Sequence, residues 1–201
     1  MSNSSRRKLQ AKRKSQGSVR IIAGELRGSK VVFSDADGLR PTPDRVRETL
    51  FNWLAPYIVG ARCLDLFAGS AALSFEAISR GASEVVALEQ NRETYRGICE
   101  NQQRLGVVPL QVIQGDAIEW LKAATDNDSR FDIIFVDPPF HSGVGEDLPA
   151  LIEGSGYCAP GAVIYLERPV DDRSTTLPGN WQLLKQRLAG QVRFELYERA
   201  Q

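Results

Sequence analysis

From Ala61 onward the apolar residues fall into short dense runs separated by longer amphipathic stretches. Arg62–Phe67, Glu84–Glu89, Leu110–Ile113, Phe131–Asp137 and Gly161–Glu167 have the length and β-branched content of strands. Between them, Ser70–Arg80, Asn91–Leu105, Asp116–Ala124 and Gly145–Gly154 have helical length and spacing. The run Asp132-Ile133-Ile134-Phe135-Val136 is almost continuously apolar, as a parallel strand buried on both faces must be. Alternation of this kind predicts a doubly wound α/β fold. Trp181–Leu188 and Val192–Tyr197 are separated only by Ala189-Gly190-Gln191 and predict a closing antiparallel hairpin. That hairpin sets the layout apart from a plain dinucleotide fold.

The first sixty residues follow another pattern. Residues 1–17 are Ser, Arg, Lys and Gln with little apolar content, which predicts a disordered basic tail. Val19–Ala23 and Ser29–Phe33, around Gly24 and Gly28, predict a β-hairpin. A helix is expected next, with Thr42 as its N-cap and Pro43 at its first position. Val46, Leu50, Phe51, Trp53 and Leu54 give that helix an apolar stripe. Residues 18–58 thus read as a hairpin-helix appendage and 59–201 as the main domain.

A net charge of zero conceals an asymmetry. Residues 1–50 carry 12 Lys and Arg against 5 Asp and Glu, whereas the remainder carries 13 against 20. A basic N-terminal end suits a polyanion, and Arg6, Arg7, Lys12, Arg13, Lys14, Arg27, Arg40 and Arg45 are its candidate phosphate contacts. The same tail residues equally fit a merely solvated segment. No apolar run is long enough to span a membrane, and the basic start lacks the apolar segment of a secretory signal. Cys63, Cys99, Cys158 and the single His141 are too scattered for a metal site, so the thiols read as small buried hydrophobes in a reducing cytoplasm.

Candidate chemistry sits at the strand ends. Cys63-Leu64-Asp65-Leu66-Phe67-Ala68-Gly69-Ser70 passes from a strand to a helix through a turn of small residues, where an open parallel sheet binds its ligand. The chain has neither G-x-G-x-x-G nor G-x-x-x-x-G-K-[ST] at this turn. Asp65 would repel a pyrophosphate but attract an ammonium group. Glu89 ends the second strand, placed for the two hydroxyls of a ribose. Asp116, with the backbone N–H of Ala117, follows the third strand and is placed for the adenine edge. Phe67 and Gly69 complete the pocket. A ligand that is cationic and bears both ribose and adenine is S-adenosylmethionine.

Asp137-Pro138-Pro139-Phe140 follows the most apolar strand. An exocyclic amine is a poor nucleophile because its lone pair is delocalised into the base. Two fixed acceptors, the Asp137 carboxylate and the Pro138 carbonyl, would pull that nitrogen toward tetrahedral geometry. Pro139 stiffens the segment, and Phe140 offers a ring for an extruded base to stack on. His141 either touches RNA or simply lies in the loop.

Here the chain resembles a known family. Asp65–Ser70 is similar to motif I of class I methyltransferases, and Asp137–Phe140 to the [DNS]-P-P-[FYW] motif of amino-methylating enzymes. Arg20-Ile21-Ile22-Ala23-Gly24, Arg27-Gly28, Gly38–Thr42 and Asp44–Leu54 extend the likeness to the RsmD family, bacterial 16S rRNA (guanine-N2) methyltransferases. The resemblance implies a seven-stranded, mostly parallel class I fold and guanine N2 as the target. It also implies action on small ribosomal subunits or their assembly intermediates. The family usually has Gly at the positions of Ala71 and Ser74; because Ala favours helix, both are expected within a first helical turn. A monomer is expected.

The D-P-P-F motif alone leaves DNA adenine and protein glutamine open as acceptors. A third reading is an RNA-binding protein of this fold that has lost catalysis. The missing glycine fingerprint disfavours hydride transfer.

Overall fold

The computed structural model describes residues 16–34, 42–123, 130–139 and 147–200. The predicted elements form in sequence: strands β1 (Gln16–Arg20) and β2 (Lys30–Ser34), then helix α1 (Asp44–Leu54). There follow β3 (Arg62–Asp65), α2 (Ala72–Ser79), β4 (Glu84–Glu89), α3 (Arg92–Leu105), β5 (Leu110–Gln114) and α4 (Ala117–Lys122). The chain ends with β6 (Phe131–Val136), α5 (Leu148–Gly154), β7 (Cys158–Pro169), β8 (Trp181–Ala189) and β9 (Val192–Arg199). Strand β1 begins at Gln16, inside the stretch expected to be a tail, because its backbone pairs with β2 as far as Ser34.

Strands β3 to β9 make one seven-stranded sheet in the order β5-β4-β3-β6-β7-β9-β8. All neighbours are parallel except those of β9, which runs against both β7 and β8. Every residue of β6 but Asp132 is buried, as its central place demands. The order runs outward from β3 to β5 and then reverses to β6 and β7, so the topological switch lies between β3 and β6. In an open sheet of this kind, ligands bind at that point, beyond the carboxyl ends of the strands.

Two apolar layers cover the sheet. Leu50, Phe51 and Leu54 of α1, Phe75 of α2 and Ile98 of α3 pack on one face with Val19 and Val31 of the hairpin. Leu121 of α4 and Leu148 and Ile152 of α5 pack on the other. Local chemistry sets the element ends. Asn91 caps α3 by accepting from the Glu93 and Thr94 amides, and Gly106 ends it in the left-handed region.

The N-terminal arm is bound to the sheet layer by a buried polar joint. Glu76 of α2, fully buried, accepts from the Ile22 amide at 2.7 Å, the Ala23 amide at 3.1 Å and Arg80 Nε at 2.7 Å. The buried Arg47 guanidinium of α1 lies 3.6 Å from Glu76 and donates to the Arg20 carbonyl and to Asp44. Gly24 lies so close to α2 that a Cβ there would come within 1.6 Å of the Ser79 carbonyl oxygen. Ser79 in turn receives the Glu25 and Leu26 amides. Trp53 of α1 stacks on Phe194 of β9 with ring centroids 5.3 Å apart. Glu76→Ala would leave a buried guanidinium and two amides without their acceptor. Urea unfolding should register a loss of about 3–5 kcal/mol, and an unchanged midpoint would show that the joint carries no stability.

Candidate active site

The switch point gathers acidic groups from adjacent strand tips. Asp65 ends β3 and is buried. Its Oδ2 accepts from the Ser74 hydroxyl at 2.6 Å. Burial pushes its carboxyl up to about 7; the Ser74 hydrogen bond opposes the rise, and the charges of Asp137 and Glu89 add to it. Residues Leu66 and Phe67 leave the strand earlier than the sequence pattern predicts, and the turn they begin closes through Ala68, whose amide donates to the Leu88 carbonyl. Phe67 is half-buried against the α4–α5 layer.

Glu89 ends β4. One carboxylate oxygen accepts from the Gly69 amide at 2.9 Å and the other from the Asn91 amide at 2.7 Å. Burial raises its pKa and these amides partly offset the rise. Gly69 has φ +52°, and it turns its amide onto Glu89. Asp116 stands as the N-cap of α4: Oδ1 accepts from the Ile118 and Glu119 amides at 2.8 and 3.0 Å, while Oδ2 accepts from Gln90 at 3.3 Å. Capping therefore occupies one oxygen and fixes the carboxylate next to the buried Ala117, the first residue of α4.

Asp137 and the buried Pro138 lie just past β6, with Pro139 exposed. Burial pushes the Asp137 carboxyl well above the ordinary range. Glu167 adds to the rise, and a hydrogen bond from Thr42 opposes it. Glu167 was not anticipated. It lies near the end of β7, one residue beyond the Val136–Leu166 pair of the register, and so beside Asp137. Burial raises its pKa, and Tyr165 Oη donates to it at 2.5 Å. The same strand-tip logic that picked out Asp65 and Glu89 applies to it, since it closes the predicted run Gly161–Glu167.

Thr42 also departs from expectation. Pro43, not Thr42, occupies the cap position of α1, without a side-chain cap bond. The Thr42 hydroxyl donates instead to Asp137 Oδ2 at 3.3 Å. Arg27, in the loop joining β1 and β2, and Arg45, in the first turn of α1, are exposed. Arg6, Arg7, Lys12, Arg13, Lys14, Arg40, Phe140 and His141 lie outside the described residues. Cys63 and Cys158 are buried and Cys99 partly so, which corrects the expectation for the last. Among the described residues no group of His, Cys, Asp and Glu could hold a metal ion.

The family described as conserved hypothetical protein 95 matches residues 19–198. The chain belongs to this family, that of the RsmD methyltransferases. Among its relatives, Ribosomal RNA small subunit methyltransferase D of Escherichia coli is 44% identical over 91% of this chain and 91% of its own. The solved structure of yhhF from Escherichia coli, described as a methyltransferase, is 41% identical with a TM-score of 0.82, covering 92% of this chain and 99% of that one. SMU.776, solved in complex with SAH, shares the fold at 18% identity and a TM-score of 0.62, over 85% of this chain and 54% of that one.

One departure from the RsmD pattern has a structural cost. Helix α2 begins at Ala72, and Ala71 lies before it with φ 58°, the one non-glycine residue in the left-handed region among those described. The expectation that Ala71 lies within the helix is therefore corrected: its amide closes a turn on the Ala68 carbonyl at 2.6 Å, and its left-handed backbone carries the chain from that turn into α2. Ser74 does lie in the first turn, and its hydroxyl serves Asp65.

Ala71→Gly should stabilise the protein by about 1 kcal/mol, as the left-handed conformation costs an alanine but not a glycine; thermal unfolding decides. Asp65 has a raised native pKa, so its contribution to stability is full below the ordinary aspartate value near 4 and is lost as pH rises through about 7. Asp65→Asn should flatten that decline in the ligand-free protein, as read by urea midpoints across the same range. A decline of equal steepness would place its origin elsewhere.

Proposed function

We propose that this chain transfers a methyl group from S-adenosylmethionine to the exocyclic N2 amine of a guanine in 16S rRNA of the small ribosomal subunit. The observation that carries this reading is the gathering of Asp65, Glu89 and Asp137 at the strand ends beside the switch point, where the charges of the other two add to the rise that burial causes in the Asp65 pKa. Carboxylates so placed are relieved by a cation, and the cofactor carries both a sulfonium and an ammonium group. When bound, it supplies a methyl group on electron-poor sulfur.

Asp65 and the Gly69 turn hold the methionine end. Glu89, each of whose oxygens retains a lone pair beyond its amide bond, receives the ribose hydroxyls. Asp116 Oδ2 and the Ala117 amide meet the adenine edge, and Phe67 packs beside them. Asp137 and the Pro138 carbonyl accept the two N–H bonds of the target amine and direct its lone pair toward the methyl group. Pro139 keeps those acceptors in place, so the transfer relies on positioning and exclusion of water. Phe140 stacks on the base, worth about 1–3 kcal/mol. The proton shed by the methylated nitrogen passes to Asp137 or to water.

Arg27 and Arg45, with Arg6, Arg7, Lys12, Arg13, Lys14 and Arg40, hold rRNA phosphates. The chain acts as a monomer on the particle or its assembly intermediate, in the cytoplasm where that particle resides. No helix among the described residues is long and apolar enough to cross a membrane.

The deciding experiment incubates unmodified small-subunit particles with the protein and methyl-labelled cofactor, then maps the labelled nucleotide. Label on a guanine N2 is expected; label on adenine, or none despite cofactor binding, would refute the assignment. Asp137→Ala should lower turnover at least about 100-fold while calorimetry finds cofactor affinity within a few-fold. Simultaneous loss of affinity would mean that Asp137 serves the fold instead.

A further inference from the structure

We infer that Thr42 is a positioning residue for Asp137, through which the N-terminal arm sets the orientation and charge of the carboxylate that receives the target amine. This rests on the role given above to Asp137.

Three observations lead to it. First, Thr42 lies one residue before Pro43, the cap position of α1, and its hydroxyl donates to a carboxylate 95 residues away in the chain and not to the helix it precedes. Second, that hydroxyl is the one hydrogen-bond donor to the Asp137 side chain among the described residues. The charge acting on Asp137 is that of Glu167 from β7, and Asp137 in turn raises the pKa of the Tyr165 phenol of β7 and of Asp65 of β3. The buried cation of α1, Arg47, is engaged with Asp44, the Arg20 carbonyl and Glu76. Third, Thr42 is carried by a fixed element, since Arg47 and Trp53 anchor α1 to α2 and β9.

The chemical consequence follows from which oxygen is engaged. Thr42 holds Oδ2, which orients the carboxylate and leaves Oδ1 for the amine. A hydroxyl donor also favours the ionised form, and only that form can accept the amine N–H. An RNA that engages the arm therefore meets a reaction centre already held by the same arm.

Thr42→Val removes the hydroxyl with little change of shape, and Thr42→Ser keeps it. Single-turnover methyl transfer to unmodified particles, measured across pH, should fall about tenfold for Thr42→Val. The acid limb should move to higher pH, because losing the donor raises the Asp137 pKa further. Thr42→Ser should restore both rate and limb, and cofactor affinity should stay within twofold throughout. A carboxyl-carbon NMR titration of Asp137 in the free protein, assigned with Asp137→Asn, reads the same shift without any turnover. An unmoved Asp137 titration in Thr42→Val would overturn the inference, as would equal losses for Val and Ser. Absence of methyl transfer by the unaltered protein, with the titration shift present, would count against the function assigned to the site and leave the Thr42–Asp137 coupling standing.

Discussion

The crowding of carboxylates withdrawn from water at neighbouring strand tips is what the rest of this molecule has to accommodate. The sheet order reverses between β3 and β6, and the residues at the carboxyl ends of those strands stand where an open sheet of this kind binds its ligand. Here those residues are Asp65 and Asp137, flanked by Glu89 and Glu167 on the neighbouring tips. Concentrated negative charge in a low-dielectric cleft is unfavourable, and the fold tolerates it through donors supplied one by one. Ser74 serves Asp65, the Gly69 and Asn91 amides serve Glu89, Thr42 serves Asp137 and Tyr165 serves Glu167. These donors are neutral, so the hydrogen bonds they supply leave the excess of acidic groups at the strand tips without a compensating positive charge.

The N-terminal arm belongs to the same organisation. Its hairpin and α1 share an apolar layer with α2 and α3. Helix α2 is both the element that follows the cofactor turn and the one whose Glu76 receives the arm's backbone. One short helix thus links the N-terminal arm to the Gly69 turn at the switch point. Polar residues inside α2, Ser74 and Glu76, are buried because each serves one of these neighbours.

Much of this was legible in the sequence, for physical reasons. Parallel strands buried on both faces leave dense apolar runs, so β3, β4 and β6 stood out, as did the acidic residues that ended them. Glu84–Glu89 is recovered with both ends. Less legible was whatever depends on partners distant in the chain. Thr42 has the sequence signature of a cap, but α1 starts one residue later, with Pro43 at the cap position, and the Thr42 hydroxyl meets Asp137 past the end of β6 instead. Ala71 follows the helix propensity scale on paper, but the backbone must first reverse before α2 can start, and no propensity encodes that requirement. Asp116 fulfils the local reading, a cap, with one oxygen, while the other accepts from Gln90.

The joint between Glu76 and the arm bears on how such proteins can diversify. Because the contact is ionic, enclosed and completed by a glycine with no room for a side chain, the arm cannot be exchanged as a cassette. A foreign arm grafted onto this sheet would strand a buried charge unless α2 travelled with it. The exposed Arg27 and Arg45, which take no part in that joint, are by contrast free to vary without disturbing it.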